Sequence, residues 1–226
     1  MTLACLFWPF LGIAVVAQHS GSPAPAHGHQ DHMQRRFDPE KSAASFDNPK
    51  RDEWQKPEQV IKALGLRPGM KVADIGAGTG YFALRLARNA TAPRVFAADI
   101  EPKMLEYIRE RASKEGLTNV TTVLAAEGSA NLPEAVELAI MVNTYHHVPK
   151  RVEYFAGLLK SLAPGGRLAI IDWKPGASGG PPAHFRFSAE QIQKEMASAG
   201  YRVVAEHDFL PNQTFTVFEP LPPEGR

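Results

Sequence analysis

Residues 71–82 read KVADIGAGTGYF: a short apolar run, then glycine at 76, 78 and 80, with Asp74 two places before the first of them. A strand that ends in small residues and passes through a glycine turn into a helix builds a ligand site at the carboxyl edge of a sheet. Without Cβ atoms at Gly76, Gly78 and Gly80 a ligand can lie against the backbone, and a helix from Tyr81 presents unpaired N–H groups. Dinucleotides use the same device, but their fingerprint is G-x-G-x-x-G, whose third glycine would fall on Tyr81. The spacing here is G-x-G-x-G. A carboxylate at Asp74 repels phosphates and suits a cationic, zwitterionic ligand; the other reading is that it caps or buttresses the loop.

Outward from this loop, apolar runs alternate with amphipathic stretches. The expected strands are 71–75, 94–99, 120–125, 136–142 and 167–172, and the expected helices are 81–90, 102–115 and 149–161. That alternation predicts a parallel sheet covered by helices on both faces. Upstream, KPEQVIKALGL reads as a short helix, with Pro57 in its first turn and Gly65 at its end, and RPGM turns the chain into the first strand. Downstream, SAEQIQKEMASAG has Ser188 and Gln191 at capping-box spacing, Ile192 and Met196 on one face and Gly200 as terminator. YRVVAE and TFTVFE then follow, separated by HDFLPNQ, a link too short for a crossover helix, so these strands are expected to be antiparallel neighbours.

The 226 residues, 44% hydrophobic and 22% charged, supply one sizeable core and predict one globular domain behind an N-terminal extension. With 25 basic and 24 acidic side chains, the net charge of +1 gives no broad footprint for a phosphate backbone, so nucleic acid is not the expected partner. The single cysteine, Cys5, lies in the N-terminal apolar run, which leaves the folded part without a thiol for disulfides, thiolate catalysis or a zinc cluster.

That apolar run extends from Leu3 to Ala17 and fits a signal-peptide core, with Val15 and Ala17 as the small residues before a cleavage site. No Lys or Arg precedes it, whereas Arg35, Arg36, Lys41, Lys50 and Arg51 follow. That asymmetry supports a signal anchor with the domain left in the cytoplasm. The expectation is therefore a leader over 1–17, cleaved on export to the periplasm or retained in the membrane, a His/Pro-rich linker over 18–36 and a domain over 37–226. His19, His27, His29 and His32 crowd the linker, where no carboxylate or cysteine framework fixes a metal geometry. No metal site is expected.

From about Trp54 to Phe218 the chain resembles the class I S-adenosylmethionine-dependent methyltransferases, whose first motif looks like VADIGAGTGYF. The resemblance implies an α/β, Rossmann-like doubly wound fold, a mostly parallel sheet with an antiparallel C-terminal strand. It implies S-adenosyl-L-methionine as cofactor and transfer of its methyl group to a small-molecule acceptor. It places the methionine and ribose parts of that cofactor against Asp74, Gly76, Ala77, Gly78 and Gly80. Asp99 closes the second strand roughly twenty residues past the glycines, where a carboxylate accepts both ribose hydroxyls, and family members carry an acid there. Ile100 and Met104 read either as adenine-flanking or as core. Glu127, in AAEGSANLP, is the candidate for the adenine amino group, although family members more often have aspartate after glycine here. Pro164, Gly165 and Gly166 read as a tight turn at the opposite edge.

The fourth strand ends in Asn143, Thr144, Tyr145, His146 and His147, where the resemblance places the reacting methyl group. Asn143 is assigned to the cofactor and His146, His147 and Tyr145 to catalysis. Methyl transfer from a sulfonium needs alignment and desolvation, and a base only when the acceptor carries a proton that must leave. The paired histidines can supply that base or simply orient the loop, and a tyrosine ring can flank a sulfonium. Trp54, Trp173, His184, Phe185 and Arg186 are candidates for lining the acceptor pocket. Two other functions stay open on residues alone: a nicotinamide-dependent oxidoreductase, and a non-catalytic cofactor- or metal-binding envelope protein that uses the histidine linker.

Overall fold

The computed structural model describes Met1 and residues 38–222. The leader, the linker and Phe37 therefore lie outside the described residues, apart from Met1.

Seven strands form one sheet in the order β3-β2-β1-β4-β5-β7-β6. Their ranges are β1 Lys71–Ile75, β2 Arg94–Asp99, β3 Val120–Leu124, β4 Val136–Val142, β5 Leu162–Trp173, β6 Tyr201–His207 and β7 Gln213–Pro220. The first five are mutually parallel, and β7 runs antiparallel both to β5 and to β6. The two C-terminal strands are thus the antiparallel neighbours that their five-residue link requires, and β7 alone reverses the sheet direction.

Helices cover both faces, so the central strands read as nearly continuous apolar runs. Alternation along each strand divides the core in two. Val72, Leu138, Ile140 and Phe215 face a cluster with α3 (Pro57–Leu64), α4 (Tyr81–Ala87) and α5 (Pro102–Lys114). Ala73, Phe96, Met141 and Ile170 face the other, with α6 (Arg151–Leu158) and α7 (Ala189–Ser198). Ile192 and Met196 do share the buried face of α7, and the Ser188 hydroxyl caps it by accepting the Gln191 N–H at 3.2 Å.

Three elements differ from the sequence reading by two residues or more. Helix α4 stops at Ala87 instead of Ala90 because the Asn89 side chain takes the Thr91 N–H at 3.0 Å, a local bond that competes with the helical one. Helix α6 begins at Arg151, after Lys150 in the left-handed region, and its last turn tightens to a 3-10 turn at Leu159–Ser161. Strand β5 begins at Leu162, earlier than expected. The Pro164–Gly166 turn is absorbed as an irregularity in its pairing, with Val136 opposite Leu162 and Leu138 opposite Arg167. Only glycine fits at 166, where a Cβ would lie 2.9 Å from the Val136 carbonyl.

The stretch before α3 contains two further helices, α1 (Pro39–Phe46) and α2 (Arg51–Gln55). Asp38 caps α1 by accepting the Glu40 and Lys41 N–H groups, and Pro39 occupies its first position. The pair forms a strap across the carboxyl edge of the sheet.

Candidate active site

Alternation places Val72 and Asp74 on the α3–α5 face of β1, so Asp74 lies beneath the loop that follows. The Ala98 carbonyl accepts the Gly76 and Ala77 N–H groups at 2.8 and 3.0 Å, fastening the loop to β2. Gly76 has φ +74°, and a Cβ there would lie 2.3 Å from Thr144 Cγ2 at the tip of β4. One turn on, Asp99 Oδ2 accepts the Gly78 N–H at 2.8 Å while Oδ1 accepts the Glu101 N–H at 2.9 Å. The predicted glycines and both predicted acids therefore converge on one crevice.

Its electrostatics favour a cation. Burial pushes the Asp74 carboxyl up to about 7, with Asp99 repelling it further, against the Ala83 N–H and the Arg51 charge, which stabilise the anion. Burial also raises Asp99, against the N–H groups of Glu101 and Gly78. Two partly compensated carboxylates at one crevice are stabilised by incoming positive charge and destabilised by a pyrophosphate.

The tip of β4 holds a second group of polar residues. Asn143 adopts φ +54°, and its side chain belongs to a closed ring of three amides. Gln55 donates to Gln213 Oε1 at 2.7 Å, Gln213 donates to Asn143 Oδ1 at 2.5 Å, and Asn143 donates to Gln55 Oε1 at 3.4 Å. Gln55 and Gln213 are buried, so the ring fastens the strap to the ends of β4 and β7. The side chain assigned from sequence to the cofactor is engaged within the protein.

Tyr145 is not a wall of the crevice. Its ring is completely buried against Phe155 and Phe187 in the core on the α6–α7 face, and its hydroxyl donates to Glu195 at 2.5 Å. Burial raises its pKa well above the phenolic range. A 3-10 turn from Tyr145 to His147 directs the ring into the core, which strand alternation alone does not predict.

His146 and His147 stay together, with ring centroids 4.1 Å apart. His146 is buried and its Nδ1 lies 2.8 Å from Asp172 Oδ1, at the end of β5. Asp172, itself fully buried, also accepts the Trp173 N–H at 2.7 Å and the His146 N–H at 3.2 Å. A carboxylate oxygen accepts, so Nδ1 is the donor of this pair and the ring is held in a fixed orientation. The sequence reading missed Asp172, although it closes an apolar strand just as Asp99 does.

The strap covers the glycine loop from above. The Phe46 ring would lie 3.4 Å from a Cβ at Gly78, Asp47 accepts the Thr79 hydroxyl at 3.0 Å, and Asp52 accepts the Tyr81 hydroxyl. The Arg51 guanidinium lies 3.7 Å from the Tyr81 ring centroid. Trp54 meets Trp173 at 5.0 Å between ring centroids, joining two of the proposed lining residues. Arg186 instead organises its own loop, donating to the carbonyls of Pro181 and Ala177 at 2.8 and 2.7 Å, while Phe185 is buried and His184 exposed.

A family profile described as a methyltransferase domain matches residues 72–166, the span from β1 into the first residues of β5. A solved structure of an S-adenosylmethionine-dependent methyltransferase from Aquifex aeolicus is 31% identical, covers 81% of this chain and 98% of that one, and superposes with a TM-score of 0.74. The chain belongs to the S-adenosylmethionine-dependent methyltransferases. A protein-L-isoaspartate O-methyltransferase of Aeropyrum pernix is 35% identical over 119 residues, 50% of this chain and 42% of that protein. A ubiquinone/menaquinone biosynthesis C-methyltransferase of Bordetella parapertussis is 32% identical over 159 residues, 65% of this chain and 59% of that protein. The chain thus spans about two fifths to three fifths of these curated relatives.

As a methyltransferase of this family, the protein has a crevice whose groups fit S-adenosylmethionine. The buried Asp74 and half-buried Asp99 carboxylates suit its cationic groups, the backbone of the glycine loop is open to close approach, and a buried Arg51 Nε has no partner among the described residues. Beyond Asp99 the edge carries two exposed apolar side chains, Ile100 at 56% and Leu124 at 55%, as a flat base requires. Met104 is core. Glu127 is exposed on the Ala126–Ser129 turn that follows β3.

Proposed function

We propose that the protein transfers the methyl group of S-adenosylmethionine to a small-molecule acceptor. The observation that carries this reading is Asp74, a carboxylate buried beneath the glycine loop, whose pKa burial pushes up to about 7. When bound, the cofactor supplies an electrophilic methyl group on a sulfonium, whose charge is relieved by in-line displacement. Asp74 stabilises the cationic end of such a ligand, and Asp99 is placed to accept the ribose hydroxyls while holding Gly78. Ile100 and Leu124 flank the base, with Glu127 next to them on the turn for its amino group. Asn143 acts through the amide ring, keeping the strap over the crevice and water out.

His146 is oriented by its hydrogen bond to Asp172. It takes a proton from a hydroxyl or ammonium acceptor, and His147 packs beside it. Replacement of His146 by Gln lowers turnover and leaves affinity for the demethylated cofactor unchanged. Calorimetric titration of the full chain with S-adenosylhomocysteine tests the cofactor reading, and folded protein that binds none of it overturns that reading. For the leader, export or membrane retention follows from residues 3–17, and the mature N-terminus together with cell fractionation decides between them. Among the described residues no helix is long and apolar enough to cross a membrane.

A further inference from the structure

The link between β6 and β7, residues 208–212, and the first residue of β7 are gripped from two sides. From the strap, the Lys56 ammonium donates to the Phe209 carbonyl at 2.7 Å and the Gln55 amide to Gln213 Oε1 at 2.7 Å. From the loop that follows β5, the Lys174 N–H donates to the Asn212 carbonyl at 3.2 Å and its ammonium to the Leu210 carbonyl at 3.3 Å. Further along that loop, Ser178 donates its N–H and its hydroxyl to the Asn212 side-chain oxygen, at 3.3 and 3.1 Å. The loop is also braced within itself, since the Phe187 N–H closes its base on the Trp173 carbonyl at 3.3 Å and Arg186 bonds the carbonyls of Pro181 and Ala177. A tie at Ser178 therefore restrains the whole loop. Rings make a second join. Gly180, at φ +86°, lies so close to Trp173 that a Cβ would come within 2.4 Å of the indole, and that indole packs on Trp54 of α2.

The strap covers the place of the cofactor and the loop borders that of the acceptor, yet both are fastened to the same short stretch. We propose that Asn212 is a positioning residue that couples the two: cofactor beneath the strap seats it on the link, and through Asn212 the link orders the loop at Ser178 for the acceptor. This coupling rests on the methyltransferase reading and goes beyond it, because it makes cofactor binding the step that shapes the acceptor's wall. The ligand acts by favouring the arrangement in which the strap is seated, where Gln55 and Lys56 reach Gln213 and Phe209. Segments joined by hydrogen bonds open together, so what slows the opening of one slows the other. Asn212 is the narrow point of the path, since its main chain holds Lys174 and its side chain holds Ser178. Its side-chain oxygen only accepts in these bonds, so a carboxylate can replace the amide there and a methyl group cannot.

Amide hydrogen exchange of the full chain, with and without saturating S-adenosylhomocysteine, tests the coupling. In the wild type the ligand is expected to slow exchange about threefold to tenfold over residues 51–55 and also over 177–187, the range of one ordinary hydrogen bond. In Asn212→Ala the slowing over 51–55 persists, the slowing over 177–187 is lost, and calorimetric affinity for S-adenosylhomocysteine stays at the wild-type value. Asn212→Asp keeps the accepting oxygen and behaves as the wild type. Ligand-dependent slowing over 177–187 that survives Asn212→Ala overturns the proposal, even where exchange there is faster overall, because Asn212 is then a local fastening only. So does a wild type whose strap slows with ligand while its loop does not. A folded wild type that binds no S-adenosylhomocysteine overturns the cofactor reading and this inference with it. Thermal unfolding establishes that each variant is folded. Should Asn212→Ala fail to fold, Ser178→Ala removes one of the two donors from the loop side and is expected to reduce the slowing over 177–187 alone, and an undiminished slowing there overturns the proposal.

Discussion

Asp99 Oδ2 accepts the Gly78 N–H at 2.8 Å, so a carboxylate at the end of β2 holds the middle glycine of a loop 21 residues earlier in the chain. Under the proposed function the same carboxylate also meets the ribose, as both support and contact. Asp99→Ala is expected to weaken S-adenosylhomocysteine binding by about 2–3 kcal/mol, the size of a charged hydrogen-bond pair. Asp99→Asn is expected to lose less, because one oxygen remains for Gly78. Calorimetry on the two variants checks the order, and equal losses count against the double role.

Asp74 makes the empty protein sensitive to pH. Its folded pKa of about 7 exceeds the ordinary value of 3.8, so the folded state binds the proton more tightly than the unfolded one. The associated stability is fully present below about pH 4 and is lost as pH rises through about 7, on the order of a few kcal/mol. Asp74→Asn is therefore expected to unfold at a higher temperature than wild type at pH 8 and to lose the advantage at pH 4. A lower melting temperature for Asp74→Asn at pH 8 refutes this account.

Cofactor binding should carry the opposite sign. A cation beside Asp74 favours its ionised form, so binding near pH 7 releases a proton and affinity rises as pH increases towards the Asp74 pKa. Titrations in buffers of different ionisation enthalpy measure that proton directly, and Asp74→Asn should abolish it.

Gly76 combines a left-handed backbone with contact against Thr144. Gly76→Ala places a Cβ 2.3 Å from Thr144 Cγ2 at φ +74°. A loss of about 1–3 kcal/mol in stability is expected from overpacking, with backbone strain in addition. Thr144→Gly in the same chain should recover the steric part alone, as read by chemical denaturation.

The amide ring predicts a conformational effect. Gln213→Ala leaves Gln55 and Asn143 each short of a buried partner, at about 1–3 kcal/mol per orphaned group. Amide hydrogen exchange should quicken over residues 51–55, where α2 is tied down by the ring. Unchanged protection there excludes the ring as a fastening.

The fold was legible because its signals are local. Strands β1, β2 and β4 match the sequence reading to the residue, since apolar runs bounded by glycine and proline leave little freedom. Helix ends were less legible where a side chain such as Asn89 competes for the backbone. Helices α1 and α2 carried a readable start in Asp38-Pro39-Glu40, but their short polar stretches have no apolar periodicity.

What the sequence determined by itself about this protein is its parallel sheet, its glycine loop and the acids Asp74 and Asp99, because strand period, glycine spacing and strand ends fix position along one element. Only the tertiary structure decided what Arg51, Gln55, Asn143, Tyr145 and Asp172 do. Asn143 meets Gln55 88 residues away, and His146 meets Asp172 26 residues away. Such partners are chosen by how elements pack and by where a turn directs a side chain, which residue spacing does not encode.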